Sequence, residues 1–201
     1  MKPPRTVRAI GRTLSFLVAR APWLWPVMRP AVTRFWNRMA AGWDSRVSDV
    51  RTTALEAALE RVPPPGRVLE VGTGTGSGAA AIATRFPGAQ IAAVDLSEEM
   101  VRRARKHLPA VQFEVADASK LPFPDASFDL VVQLNVPVYF PELARVVAPG
   151  GCVLIASTFG PATPYYTPHS LLRRRFERLG LETRAAEAAP PGDFFIACRP
   201  S

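Results

Sequence analysis

The stretch Gly72-Thr73-Gly74-Thr75-Gly76-Ser77-Gly78 limits the folds open to this chain more than any other segment. Four glycines in seven residues do not suit the interior of a helix or a strand, because glycine weakens both. They fall between a short apolar run at 67–71 (RVLEV) and an Ala-rich stretch at 77–86. A strand, a turn of bare backbone and a helix, in that order, open a βαβ unit. A ligand can then rest on the main chain where no Cβ intrudes. Alone, the loop also fits a dinucleotide site, with Gly74, Gly76 and Ala79 as G-x-G-x-x-A.

The rest of the chain continues the alternation. Residues 90–95 (QIAAVD), 111–115, 128–134 (FDLVVQL) and 151–157 (GCVLIAS) read as further strands. Ser97 reads as the N-cap of a helix with Glu98 and Glu99 in its first turn and Arg102, Arg103, Arg105 and Lys106 towards its end, the order a helix dipole favours. His107 falls at the end of that helix. Short helices are predicted at 141–147 and 171–179, and a terminal hairpin at 181–188 and 193–198. Pro63-Pro64-Pro65-Gly66 breaks the chain just before the first strand. The pattern predicts an α/β fold: a Rossmann-like, doubly wound, mainly parallel seven-stranded sheet with a C-terminal antiparallel hairpin and an N-terminal helical arm.

Charge divides the chain in two. The 201 residues carry a formal net charge of +8, and residues 1–43 hold eight basic side chains and no acid. The remainder is neutral. All four tryptophans, Trp23, Trp25, Trp36 and Trp43, lie in the same first 43 residues. We therefore read residues 1–47 as a basic, Trp-rich arm or lid and 48–201 as the main domain. Two arm helices are expected. One carries Ile10, Leu14, Leu17 and Val18 on one face, with Arg5, Arg8 and Arg12 opposite. The other starts near Pro30 and carries the stripe Val32, Phe35, Trp36, Met39 and Trp43. Residues 31–43 are expected to cover the domain, and 1–28 to meet an anionic membrane surface, with contact to RNA or DNA phosphates as the alternative the same charge allows. The apolar stretch 14–28 is broken by Arg20, Pro22 and Pro26 and is too short to span a bilayer, so a cytoplasmic protein is expected. Cys152 and Cys198 are read as buried reduced thiols, and no metal motif occurs.

Three acids mark strand ends: Glu70 at the end of the first strand, Asp95 at the end of the second and Asp117 just past the third. A dinucleotide site would use Asp95 for ribose hydroxyls, but gains little from Glu70 beside a pyrophosphate. Three carboxylates around one crevice suit a ligand that carries positive charge together with a ribose. The segments VLEVGTGTGSG (68–78), AVDLSEEM (93–100), FEVADASKLPFPDASFDLVV (113–132) and ELARVVAPGGCVLIAS (142–157) resemble, in order and spacing, the class I S-adenosylmethionine-dependent methyltransferases, in the branch of the quinone-biosynthesis C-methylases.

That resemblance implies transfer of a methyl group from S-adenosylmethionine to a small-molecule or lipid-like acceptor. It implies that Glu70, Thr73 and the backbone of Gly72, Gly74 and Gly76 face the methionine part, and that Asp95 takes the ribose hydroxyls, with Leu96 against the adenine. Asp117 and the backbone of Ala118 would recognise the adenine edge, and Asn135 would line the sulfonium and substrate entrance. Trp43-Asp44 resembles an aromatic–Asp pair that helps close such sites; Tyr165, Tyr166 and His169 lie where substrate contacts are common. No residue is assigned as general base. After the fourth strand, Asn135-Val136-Pro137-Val138-Tyr139 departs from the [DNS]-P-P-[YFW] of nucleic-acid amino methylases, which argues against methylation of base amino groups. An NAD-dependent oxidoreductase and a non-catalytic S-adenosylmethionine-binding protein are the rival readings.

Overall fold

The computed structural model describes residues 5–43 and 51–201. Asp44 and the arm boundary at residue 47 lie outside the described residues, as do the side chains of Arg5 and Arg20. The main domain runs α3 (Thr53–Leu59), β1 (Arg67–Val71), α4 (Ser77–Arg85), β2 (Gln90–Asp95), α5 (Glu98–His107), β3 (Gln112–Val115), β4 (Phe128–Leu134), α6 (Phe140–Val146), β5 (Val147–Ser157), α7 (His169–Glu177), β6 (Glu182–Ala189) and β7 (Gly192–Cys198). The strand order is β3-β2-β1-β4-β5-β7-β6. Neighbours pair in parallel from β3 to β5, and β7 runs antiparallel to both β5 and β6. The chain winds outward from β1 to β3 and then returns to β4. The crevice at the carboxyl ends of β1 and β4 is therefore the topological switch point, where ligands of such sheets bind.

Side-chain alternation along the strands builds two cores. Val68, Leu130, Leu154 and Ile196 point to one face and meet Leu55 and Leu59 of α3. Leu69, Val131, Val153 and Phe195 point to the other and meet Phe140 of α6 and Phe176 of α7. All of these are essentially fully buried, each contributing roughly 1.5–3 kcal/mol of transfer free energy. Burial on both faces explains why the central strands read as continuous apolar runs.

Helix α5 is signalled locally. The Ser97 hydroxyl accepts from the Met100 N–H at 3.2 Å, and the acids and bases occupy opposite ends. Arg102 and Arg103 hold the Glu99 carboxyl down to about 2. Asp129, in β4, holds the entry to β1. Its Oδ2 accepts from the N–H groups of Gly66 and Arg67, pinning the proline break to the start of β1. Strand β5 starts four residues before its predicted onset, because Val147 already pairs with Phe128 ahead of a register shift in β4.

Two expectations are corrected here. Cys152 and Cys198 are buried but form a disulfide rather than two free thiols. They are direct partners in the antiparallel pairing of β5 with β7, a neighbourhood that their separation of 46 residues does not reveal. In the arm, α1 spans Arg5–Arg20 and α2 spans Trp25–Ala40, so Pro30 lies inside α2 rather than near its start. Pro26 takes the first-turn position, where a missing N–H costs nothing. Pro30 is exposed, and the carbonyl it leaves unbonded, four residues back at exposed Pro26, faces water. Trp43 lies in the turn after α2, with its N–H on the Ala40 carbonyl.

Candidate functional site

The glycine loop leaves β1 with Gly72, Gly74 and Gly76 at positive φ (82°, 58° and 95°). Side chains are excluded at Gly72 twice over, because a Cβ there would also run into Val136, just past β4. At Gly78 the obstacle is chemical. A Cβ would occupy the position of the Glu70 carboxylate, which lies against the first turn of α4. Gly78 thus admits a carboxyl group at the start of the helix.

Glu70 is 1% exposed. Its Oε2 accepts from the Thr73 hydroxyl at 2.5 Å, and the Ala79 N–H also donates to it. Burial outweighs these bonds and the nearby Arg51 charge, and pushes the carboxyl up to about 7. Asp95 ends β2. Its Oδ2 accepts from Gly74 N–H at 2.8 Å and its Oδ1 from Ser97 N–H at 2.9 Å, so it ties the glycine loop to the start of α5. Burial raises this carboxyl as well. Two acids that resist ionisation, beside a loop of backbone N–H groups, form a site that a cationic ligand would complete.

Asp117, just past β3, is held differently. The Trp25 indole N–H donates to both of its oxygens, at 2.8 and 3.0 Å. Ser119 N–H donates to Oδ1 at 2.8 Å, and Arg29 approaches Oδ2 at 3.4 Å. Trp25 is buried against Val18 and Tyr139, and Leu96 and Ala118 pack on that cluster. This corrects the division of the arm: Trp25, placed with the membrane-facing segment, is docked in the main domain. Trp36 and Trp43 are only half-buried.

The remaining sequence-selected residues fall into two groups. Trp43 and Tyr165 come together through Trp36, with ring centroids 5.3 and 6.2 Å from it. The Trp43 Nε1 lies near Gly74, and among the described residues it is buried without a hydrogen-bond partner. Burial pushes the Tyr165 hydroxyl up to about 12. Tyr166 and His169 gather instead on Asp193 at the start of β7. The Tyr166 hydroxyl donates to it, and His169 Nε2 lies 3.7 Å from its Oδ2. Asn135, at φ 59°, donates from Nδ2 to the Thr158 hydroxyl and accepts the Thr158 N–H at Oδ1. The Thr158 hydroxyl in turn donates to the Arg51 carbonyl. This knot joins the carboxyl ends of β4 and β5 to the segment before α3.

Sequence reasoning missed Trp25, Arg29, Asn37 and Arg51. Asn37 accepts the Ser97 hydroxyl at 2.6 Å, and the Arg51 guanidinium sits 4.8 Å above the Trp43 ring. A signal was present for the first two. Residues 1–43, rich in indole and guanidinium donors and without one acid, find side-chain acceptors on the main domain. Among the described residues no three His, Cys, Asp or Glu side chains gather closely enough to hold a metal ion.

Comparison with known proteins adds the following. Residues 68–151 match the family model described as a methyltransferase domain. Trans-aconitate 2-methyltransferase of Methylobacterium nodulans is 35% identical over 161 residues, covering 74% of this chain and 61% of that protein. Demethylmenaquinone methyltransferase of Chlorobaculum parvum is 40% identical over 126 residues, covering 59% and 51%. The chain thus spans about half to three-fifths of the length of these curated relatives. A solved S-adenosylmethionine-dependent methyltransferase from Aquifex aeolicus superposes with a TM-score of 0.65 at 20% identity, over 79% of this chain and 97% of that one.

Proposed function

We propose that this chain, which belongs to the class I S-adenosylmethionine-dependent methyltransferases, transfers a methyl group from S-adenosylmethionine to a small-molecule or lipid-like acceptor. The observation that carries the reading is the set of three strand-end acids, Glu70, Asp95 and Asp117, around one glycine loop at the switch point of the sheet. The residues fit this cofactor. The raised Glu70 carboxyl gains a counter-charge from the cationic methionine part, Asp95 gains hydroxyl donors, and among the described residues the Trp43 indole N–H has no partner where it meets the loop.

S-adenosylmethionine supplies a methyl group already activated on a sulfonium. The protein's task is alignment and exclusion of water. In this reading Glu70, kept in place by Thr73, and the backbone of Gly72, Gly74 and Gly76 hold the methionine part. Asp95 binds the ribose hydroxyls. Leu96, Asp117 and Ala118 form the adenine seat, and Asn135 fixes the backbone at the substrate entrance. Trp43 and Tyr165 shield the acceptor side, with Tyr166 and His169 further along the same sheet end. Residues 1–47 serve as an arm and lid to the domain 48–201.

The membrane part of the proposal rests on the arm's outer surface. Ile10, Phe16, Trp23 and Val27 are 59–80% exposed, within residues 1–43, which carry no acid. No helix among the described residues is long and apolar enough to cross a membrane, so the contact proposed is peripheral and to an anionic surface. A cytoplasmic address belongs to the same proposal. Recovery of the protein in the cytosolic fraction of lysed cells supports it, and recovery outside the cytosol overturns it.

The test of function is a transfer screen with methyl-labelled cofactor over lipid, quinone and RNA extracts, beside calorimetry with S-adenosylmethionine and NAD. Label in the lipid or quinone fraction is the expected result. Cofactor binding with no transfer to any fraction favours the non-catalytic reading, and tight binding of NAD alone overturns the assignment.

A further inference from the structure

We propose that the arm is an intramolecular competitor of the cofactor, with the Trp25 indole occupying the seat assigned above to adenine. The inference rests on that assignment. An indole and an adenine are both flat fused six–five ring systems that offer an N–H at one edge. Each residue given to the adenine seat meets Trp25 or its cluster: Asp117 takes its N–H, and Leu96 and Ala118 pack on the apolar group it forms with Val18 and Tyr139.

The Asp117 carboxylate has no acceptor capacity left. Two oxygens offer about four lone-pair sites. The forked bond from Trp25 uses one on each oxygen, Ser119 N–H a second on Oδ1, and Arg29 a second on Oδ2. An adenine amino group can bond there only after Trp25 or Arg29 withdraws. The latched arrangement is also imperfect. Tyr139, whose ring meets Trp25 edge-on at 5.5 Å, is 8% exposed, and its hydroxyl has no hydrogen-bond partner among the described residues. An orphaned hydroxyl weakens the closed state and makes the latch reversible.

Arm docking elsewhere is consistent with a swinging unit. Outside the Trp25 seat, α1 reaches the domain through Arg12 on the Pro161 carbonyl and through Gly11, where a Cβ would meet Pro164. Further along α2, Asn37 accepts from Ser97. The α1 contacts are polar or small and lie at the rim, while the far end of α2 also meets the domain through Trp36 on Tyr165. Release of α1 and the start of α2 therefore exposes the seat without disturbing either core.

The test is S-adenosylmethionine affinity, by calorimetry on the full chain, for wild type, Trp25→Ala, Trp25→Phe and Asp95→Ala. A latch closed nine-tenths of the time weakens binding about tenfold, so Trp25→Ala is expected to bind about tenfold more tightly, with Trp25→Phe between it and wild type. Unchanged or weaker binding by Trp25→Ala overturns the latch. Asp95→Ala separates the two ideas: if it binds as wild type does, the site assignment itself has failed. Should Trp25→Ala not fold, the Trp25 indole N–H resonance of the 15N-labelled wild type gives the answer. Movement to a solvent-exposed position on saturation with S-adenosylmethionine supports the latch, and a fixed resonance refutes it.

Discussion

Asp95 ends β2 and Asp117 lies just past the adjacent β3, yet they are held by different parts of the chain. The partners of Asp95 lie 21 and 2 residues away, in the glycine loop and the start of α5. Those of Asp117 include Trp25 and Arg29, 92 and 88 residues away in the arm. The first acid belongs to a self-contained motif that the domain carries wherever it goes. The second depends on a segment outside the sheet, so its environment changes whenever that segment moves.

Exchange of each acid for alanine breaks the comparison most directly. Asp95→Ala removes a charged acceptor with no compensating gain, and cofactor affinity by calorimetry is expected to fall at least about 100-fold. Asp117→Ala removes an adenine contact and the latch together, so its net loss is expected to stay below about tenfold. Equal losses would show that the arm does not occupy the seat.

Glu70 sharpens the contrast through pH. Its folded-state value, about 7, lies above its ordinary 4.5. The protein without ligand is therefore most stable, with respect to this group, below pH 4.5. It loses up to about 3 kcal/mol as pH rises through 7 and the buried carboxyl ionises. Denaturant unfolding of Glu70→Gln is expected to lack that slope. Affinity for the cationic cofactor in the wild type is expected to rise over the same interval. A slope shared by both proteins would assign the titration elsewhere.

The smallest expected effect is that of Asn37→Ala, which removes one arm bond to Ser97. Stability should change by less than about 1 kcal/mol, while tryptic cleavage within the arm accelerates. Cleavage at the wild-type rate would mean that Trp25 alone sets the docking.

The same contrast explains what the sequence disclosed. The strands, the glycine loop and the cap at Ser97 rest on interactions within one or two turns of chain, and these leave local signatures such as apolar runs, glycine spacing and charge order. Strand alternation with a closing hairpin was enough to give the sheet its class. The Cys152–Cys198 pairing, the Trp25–Asp117 bond and the gathering of Tyr166 and His169 on Asp193 each join segments far apart in sequence. No spacing rule encodes them. Pro30 was misplaced for a related reason: proline marks a first turn by habit, and Pro26 already filled that position.

The knot of Asn135, Thr158 and the Arg51 carbonyl has a consequence for how such a protein can diversify. It fastens the floor of the crevice from within the main domain and takes nothing from residues 1–43. An ancestor could therefore exchange its arm for another, or lose it, and inherit the floor intact. Selection could then revise which acceptors reach the crevice, and when, while the machinery beneath stayed as it was.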